Sequence, residues 1–417
     1  MRWDTSGVDP EPYLTTDLPG VGGVLREKPE DFRVDELPKY TPCGEGEHVY
    51  FRVKKRGLAT FEAVRRIARD LNLPERHIGY AGLKDARAVT TQWMSAFGTT
   101  PEAVSALGFR NMEVDSATRH GNRLKIGHLL GNRFRLRVRQ VDGNAAARAS
   151  AILDVLIRRG VPNYFGEQRF GIRGDGHIIG EALLRRDYDG FVRALLGGPA
   201  GMEADPRLRD SREHFDAGRI QQAYEAMPLT RRTEKKALHA LLRFHGDTER
   251  ACFAVPKRMR QMFASAFQSG LFNKIVAARL PDLDSVDVGD LAFLHHNGAA
   301  FRVEAEHLER ERRRADAFEI SASGPIFGTR VDLAEGPAGE LEARTLAESG
   351  LDRDSFRASG GLRLKGLRRP LRTPLRNVEI FQEDPEVLRV DFDLPSGCFA
   401  TSVMREVMKT ETVSNRS

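Results

Sequence analysis

Residues 132–139 read NRFRLRVR, and this stretch has the clearest alternation of apolar and polar side chains in the chain. Side chains of an extended strand point alternately to opposite faces, so the stretch predicts a strand with one apolar and one cationic face. The two faces carry Phe134, Leu136 and Val138 on one side, and Arg133, Arg135, Arg137 and Arg139 on the other.

Upstream of this stretch, strand and helix patterns alternate over about one hundred residues. The apolar residues follow a period of two in the strands and helical spacing in between, with glycine and proline marking the turns. The patterns predict strands around Phe32 and Val34, at 47–57 and at 89–97, a helix that begins with Thr60 as its cap, and a loop at 79–86.

Downstream, residues 145–159 have helical spacing, and Gly160 and Pro162 end that helix. Amphipathic helices then follow as far as about residue 335, and the run LAEGPAGELEA at 333–343 resembles a linker. Two strands and a helix complete the chain. Because 417 residues exceed the usual size of one domain, the sequence predicts two compact domains.

Positive charge is concentrated in two runs that contain no acidic residue. The chain carries a net charge of +6, and residues 119–139 hold seven Lys or Arg while residues 361–376 hold six. Acid-free runs in a chain with 59 acidic residues favour an anionic partner that follows a phosphate backbone. Nucleic acid is therefore the predicted partner, although such runs are also typical of ordinary solvated surfaces.

Several classes of protein are disfavoured by what the sequence lacks. No apolar run approaches the roughly 20 residues that span a bilayer, and the opening residues contain acids and prolines, so we expect a cytoplasmic protein that does not enter a membrane. The three cysteines are widely separated, no HExxH or phosphate-loop motif occurs, and the zinc-deaminase combination of HxE with PCxxC is absent. We expect no metal, and a monomer is the default.

Asp85 is the first candidate for chemistry. It lies between Lys84 and Arg87, and Gly79 and Gly82 allow the backbone nearby to approach a ligand closely. Neighbouring cations favour an ionised carboxylate, as a nucleophile or base requires. An aspartate in such a loop is also commonly a turn residue that accepts backbone hydrogen bonds, and spacing alone leaves both alternatives open.

The stretch GYAGLKDARAVTTQWMS at 79–95 resembles the signature of the TruD family of pseudouridine synthases. Eight further segments resemble family segments in the same order along the chain. They are EDFRVDE, GEHVYFRVKKRGLATFEA, GNRFRLRVR, GVPNYFGEQRFGIRGDGHIIG, SAFQSGLFNKIVAARL, SGPIFG, LRRPLR and GCFATSVMRE. The resemblance implies an enzyme that isomerises uridine to pseudouridine in RNA, chiefly at position 13 in the D arm of tRNA, without a cofactor.

The resemblance also implies a layout and a set of site residues. The fold would be α+β: the pseudouridine-synthase catalytic core, with a mixed, mainly antiparallel sheet, would comprise residues 1–157 and 338–417, and an α/β TRUD domain would be inserted at 158–337. Asp85 would be the catalytic residue, Phe32, Asn132 and Phe399 would bind the flipped-out uridine, and Phe134 would stack on the base. Without the resemblance, the strand pattern favours an apolar core role for both Phe32 and Phe134, and Asn132 could simply shape a turn after Gly131.

Two groups of arginines are candidates for contacts with the RNA backbone: the arginine face of residues 133–139, and Arg368 with Arg369 in LRRPLR. Two alternatives remain open at this point. The chain could act on an RNA other than tRNA, or it could be a non-catalytic RNA-binding protein, which would not need a carboxylate in its binding pocket.

Overall fold

A computed structural model describes residues 11–171, 173–198, 205–357, 361–362 and 364–410. The described chain divides into two compact units. The split unit consists of residues 15–161 and 373–410, and the inserted unit contains residues 162–372 together with residues 11–14. Within the described residues, no helix is both long enough and apolar enough to cross a membrane.

The split unit is built around one large sheet. Its first part contains β1 (Val24–Leu25), β2 (Phe32–Pro38), β3 (His48–Arg56), α1 (Thr60–Asp70), β4 (Ile78–Tyr80), β5 (Val89–Phe97), α2 (Pro101–Ser105), β6 (Met112–His120), β7 (Leu129–Arg139) and α3 (Ala145–Arg159). The short strand β8 (Val161–Pro162) then leads into the inserted unit.

The inserted unit combines a helical layer with a small sheet. Its elements are α4 (Gly176–Leu184), α5 (Tyr188–Leu196), α6 (Pro206–Asp216), α7 (Ile220–Ala226), α8 (Arg232–Arg243), α9 (Thr248–Ala254), α10 (Lys257–Ala278), β9 (Leu291–Leu294), β10 (Ala300–Arg302), α11 (Leu308–Asp316), β11 (Ile320–Ile326), α12 (Gly336–Glu348) and β12 (Leu367–Pro370). The strand order is β10-β9-β11-β12, and every pairing is antiparallel. Helix α10 runs through the core of this unit, with Phe263, Phe267 and Leu271 at helical spacing and buried.

The chain returns to the split unit through β13 (Arg372–Thr373), followed by β14 (Arg376–Asp384), β15 (Val387–Pro395) and α13 (Ala400–Met408). The large sheet has the order β14-β15-β7-β2-β5-β3-β6, with β1 beside β7 and β4 beside β5. Only β2 and β5 run parallel among its described pairings. The prediction of an α+β protein with a mixed, mainly antiparallel sheet is confirmed.

Helix α1 packs on the half of the sheet that contains β3, where Val49, Phe51 and Val53 form a core with Ile67 and Val64. Thr60 was expected to cap this helix, but Ala59 is the cap residue and Thr60 is the first helical residue. Its hydroxyl group instead bonds the side chain of Gln92 at 2.9 Å. The predicted strand at 89–97 and helix at 145–159 agree with β5 and α3.

The boundary predicted at 337/338 differs from the division in the structure, where the chain passes from the inserted to the split unit at 372/373. The reason is that the run taken for a linker forms most of α12, which packs against α10, while β12 pairs with β11. Residues 338–372 therefore belong with the inserted unit by their contacts. The earlier boundary, predicted at 157/158, lies at 161/162.

Candidate active site

Asp85 lies in the loop of residues 81–88 that joins β4 to β5, named the Asp85 loop below. Its Oδ2 atom accepts a hydrogen bond from Nη1 of Arg26 at 2.8 Å, and its Oδ1 atom accepts one from the backbone N–H of Arg87 at 3.0 Å. The side chain is 36 % exposed. One carboxylate oxygen therefore accepts a backbone hydrogen bond, as a turn residue does, and the other forms an ion pair with Arg26.

Arg26 is a site residue that the sequence analysis missed. It follows β1 with φ of 66°, a backbone conformation that is unusual outside glycine, and its guanidinium lies 3.8 Å from the ring centre of Phe32. One cation thus contacts both the candidate nucleophile and an aromatic ring of the sheet. No local motif marks Arg26 in the sequence, because its position depends on the pairing of β1 with β7.

Hydrogen bonds from neighbouring elements hold the Asp85 loop along its length. The carbonyl oxygen of Gly82 accepts from Nε2 of Gln92 at 3.3 Å, and the backbone N–H of Lys84 donates to Oγ1 of Thr60 at 2.9 Å. Lys55 donates from its buried ammonium to the carbonyl oxygen of Asp85 at 3.5 Å. Burial and the nearby Lys84 together lower the pKa of Lys55 from 10.5 to about 8.

Lys84 also forms a buried ion pair with Glu36 of β2, with Nζ and Oε2 separated by 2.7 Å. The other oxygen of Glu36 accepts from the backbone N–H of Trp93 at 3.2 Å. Burial raises the pKa of Glu36, and the charge of Lys84 opposes that rise. In the sheet, Glu36 stands directly opposite Asn132 of β7.

Phe32 and Phe134 lie on neighbouring strands and contact each other edge to face, with ring centres 6.2 Å apart. They are 4 % and 6 % exposed, and Phe134 also contacts Phe392 of β15 with ring centres 5.5 Å apart. The core role that the strand pattern favoured is therefore real for both rings. Their predicted roles at the base remain predictions, and the guanidinium of Arg26, which bonds Asp85, lies over the ring of Phe32.

Asn132 lies inside strand β7, so the alternative that it forms a turn is wrong. Its Oδ1 atom is buried and accepts no hydrogen bond from the described residues. A buried amide oxygen without a donor costs free energy, commonly about 1–3 kcal/mol, and such groups are rare unless a ligand or water completes them. This oxygen is thus suited to accept a hydrogen bond from a bound base.

Phe399 precedes α13 and is 47 % exposed. Strand β15 ends at Pro395, which pairs with Gly131, and the next backbone N–H, that of Ser396, donates to the carbonyl oxygen of Leu130 at 3.1 Å. The segment that carries Phe399 therefore begins beside Asn132. The structure places Asp85, Phe32, Asn132, Phe134 and Phe399 in one unit, on β2, on β7, in the loop between β4 and β5, and in the segment that follows β15.

The arginine face of β7 does not present free positive charge. Each of its arginines lies within 4 Å of a carboxylate from another strand or turn, and the predicted contact of this face with phosphates stays a prediction. The pairs are Arg133 with Asp393 at 2.8 Å, Arg135 with Asp35 at 3.7 Å and Asp391 at 3.9 Å, Arg137 with Glu383 at 2.6 Å, and Arg139 with Asp31 at 2.7 Å.

Arg368 and Arg369 lie on β12 of the inserted unit and differ in their surroundings. The side chain of Arg368 is 7 % exposed, pairs with Glu342 at 2.8 Å and also bonds Ser323, so it is buried and compensated, which argues against the predicted phosphate contact. Arg369 stacks on Phe165 with its guanidinium carbon 4.3 Å from the ring centre, and it donates to Oδ1 of Asn163. Its predicted RNA contact remains a prediction.

Known proteins are similar to this chain over nearly its whole length. The family described as tRNA pseudouridine synthase D (TruD) matches residues 10–407. The tRNA pseudouridine synthase D of Geotalea daltonii is 48 % identical over 96 % of this chain and 100 % of its own length, and that of Thermus thermophilus is 37 % identical over 97 % and 94 %.

A solved structure gives the same answer for the fold. The crystal structure of a Methanosarcina mazei protein assigned as tRNA pseudouridine synthase D is similar with a TM-score of 0.84, at 27 % identity, over 96 % of each chain. The match therefore covers both units, and the chain belongs to the TruD family of tRNA pseudouridine synthases, isomerases that act on RNA.

Proposed function

We propose that the chain converts the uridine at position 13 in the D arm of tRNA to pseudouridine, with Asp85 as the catalytic residue. The observation that carries the proposal is the carboxylate of Asp85 held by Arg26, in the same unit as an aromatic pair and a buried amide oxygen that lacks a donor. A flipped-out uridine needs these groups: aromatic faces in place of lost stacking, and an acceptor for its ring N–H.

The reaction breaks the bond from the anomeric carbon to N1 of uracil and joins the anomeric carbon to C5. The proton on C5 is lost and N1 gains one, so atoms balance without a co-reactant, and the proposal includes no cofactor. Asp85 can begin this exchange by attack on C6 of the base, by attack on the anomeric carbon, or by promoting loss of a ribose proton. Each route requires a carboxylate held beside the base, and the hydrogen bond from Arg26 fixes the direction of the Asp85 carboxylate.

The remaining residues of the site contact the base and hold it in position. Asn132 accepts the hydrogen bond of the uracil N3–H, Phe134 and Phe32 provide aromatic contact, and the exposed Phe399 covers the base from the loop that follows β15. Extrusion of a base costs a few kcal/mol, which these contacts and those to the phosphates must offset. A monomer in the cytoplasm, where tRNA is modified, completes the proposal.

The test is pseudouridine mapping by mass spectrometry after carbodiimide labelling of unmodified tRNA transcripts incubated with the pure protein. Conversion of the single uridine 13 is expected from the wild type and not from Asp85→Asn, which should keep its RNA affinity. A transcript with cytidine at position 13 is the matched control. Conversion at another site, or in another RNA only, would refute the substrate assignment, and equal conversion by Asp85→Asn would refute the catalytic residue.

Arg369 provides a separate test of RNA binding. If it contacts a phosphate, Arg369→Ala should weaken tRNA binding and reduce the slope of log affinity against log salt concentration by about one unit. The matched control is Arg250→Ala, which removes an exposed arginine of the same unit that pairs with Asp247. An unchanged salt slope in the Arg369 variant would remove this residue from the interface.

A further inference from the structure

We propose that the buried Lys84–Glu36 ion pair positions the Asp85 loop, so that both residues act on the reaction through Asp85. This inference rests on the catalytic role of Asp85 proposed above. Lys84 directly precedes Asp85 in the chain, and Glu36 belongs to β2, next to the strand that carries Asn132. The ion pair therefore connects the loop that carries the Asp85 carboxylate to the point in the sheet where Glu36 lies opposite Asn132.

The burial of this pair is not explained by stability. The side chains of Lys84 and Glu36 are 5 % and 1 % exposed, and the attraction of two charges rarely recovers the cost of removing both from water. Replacement of such pairs by apolar residues is often neutral or stabilising. By contrast, the Lys54–Glu113 pair on the neighbouring strands β3 and β6 has an N–O distance of 3.1 Å and is 52 % and 74 % exposed, as is usual for charged groups.

Further contacts at both ends of the ion pair restrict the position of Lys84 and Glu36. Glu36 is fixed at its own end, because its second oxygen accepts the backbone N–H of Trp93 in the central strand β5. Lys84 is fixed twice, by its side chain to Glu36 and by its backbone N–H to Thr60. With the residue before Asp85 held at two points, the direction in which the carboxylate leaves the backbone has little freedom.

Positions on the sheet then set what the pair controls. Glu36 and Asn132 are register partners, so the ion pair fixes the Asp85 loop relative to the atom proposed to hold the uracil ring. A displacement of about 1 Å between reacting groups can reduce a rate by about 100-fold while leaving binding nearly unchanged. The pair is therefore expected to contribute to the rate of the chemical step and not to RNA affinity.

The decisive experiment compares wild type with the double variant Glu36→Met/Lys84→Met, which keeps the buried volume filled by two unbranched apolar side chains. Thermal unfolding, tRNA affinity and the single-turnover rate of pseudouridine formation are measured for each protein. We expect a rate about 10- to 100-fold lower, with melting temperature and affinity close to wild type. The matched control is Glu113→Met/Lys54→Met, for which all three quantities should stay unchanged.

A single-turnover rate of the double variant within about threefold of the wild-type rate would overturn the proposal. Such a difference is smaller than the tenfold change that about 1.4 kcal/mol of activation free energy produces. A rate that falls only in step with the folded fraction would also overturn it, since that is a purely structural role. If the double variant does not fold, the single variant Lys84→Met decides, because it removes the ion pair and leaves Glu36 in place: a stable protein with full rate contradicts positioning. Asp85→Asn in the same assay distinguishes failure of this inference from failure of the proposed function.

Discussion

At the scale of single residues, the site depends on charges whose partners are far away in the sequence. Arg26 contacts both Asp85 and the ring of Phe32, and Lys84 reaches Glu36 across the sheet. The sequence alone identified Asp85 and the aromatic residues through resemblance, but it did not identify Arg26 or Glu36. Both were missed because an ion pair between distant residues leaves no local spacing to recognise.

Arg26 makes a clear prediction at this scale. Arg26→Ala should lower the single-turnover rate about 10- to 100-fold, because a hydrogen bond to a charged group is worth about 1.5–3 kcal/mol. Arg26→Lys keeps the positive charge but lacks the planar guanidinium group, so its rate should lie between those of the wild type and Arg26→Ala. The rate is measured with enzyme in excess over the tRNA transcript. A wild-type rate for Arg26→Ala would show that Asp85 does not need this partner.

Lys55 makes a prediction about pH. Burial lowers its pKa from 10.5 to about 8, so between these pH values the unfolded chain binds a proton that the folded chain does not. The free energy of unfolding should therefore rise with pH through this window, by a total on the order of 3 kcal/mol at 1.36 kcal/mol per pKa unit.

The comparison is urea unfolding of wild type and Lys55→Met at pH values below, within and above the window. The variant should lack the rise, while Lys54→Met, which removes a half-exposed lysine on the same strand, should retain it. Parallel curves for wild type and Lys55→Met would contradict the lowered pKa.

At the scale of elements, periodicity was sufficient where an element has one apolar face. β5 and α3 have the bounds that spacing predicted, because alternation and helical spacing report burial directly. Composition was misleading for the run LAEGPAGELEA, where Gly336 and Pro337 begin helix α12 instead of marking a linker. Proline is favoured in the first turn of a helix, so its presence was compatible with either reading.

Gly131 carries the prediction at this scale. A Cβ atom there would overlap the carbonyl oxygen of Leu394, so only glycine allows β7 and β15 to pair at this point. Gly131→Ala should cost about 1–3 kcal/mol of unfolding free energy, measured in urea, and should also lower activity because Asn132 is adjacent. Gly143→Ala, where a Cβ meets nothing within 4 Å, is the control. Equal stability of both variants would contradict the close approach.

At the scale of the whole molecule, the resemblance identified the fold and the order of segments, while charge counting was a poor guide to the surface. The run that contains the arginines of β7 has no acidic residue, but in the fold each of these arginines is paired. Their carboxylate partners come from β2, β14, β15 and the turn before β2. Arg368 is compensated in the same way by Glu342 of α12. Which arginines stay available to RNA is thus decided by tertiary pairing, which a list of charges does not contain.

The pairing of β7 with β15 has a consequence for how the protein is made. Along the chain, these two strands are separated by the residues from 139 to 387. Arg133 of β7 cannot form its ion pair until Asp393 of β15 has been synthesised. At a synthesis rate of roughly 5–20 residues per second, β7 leaves the ribosome roughly 10–50 s before its partner exists. During that interval its edge is open to other strands, so the nascent chain should depend on chaperones until the last tenth of the protein emerges.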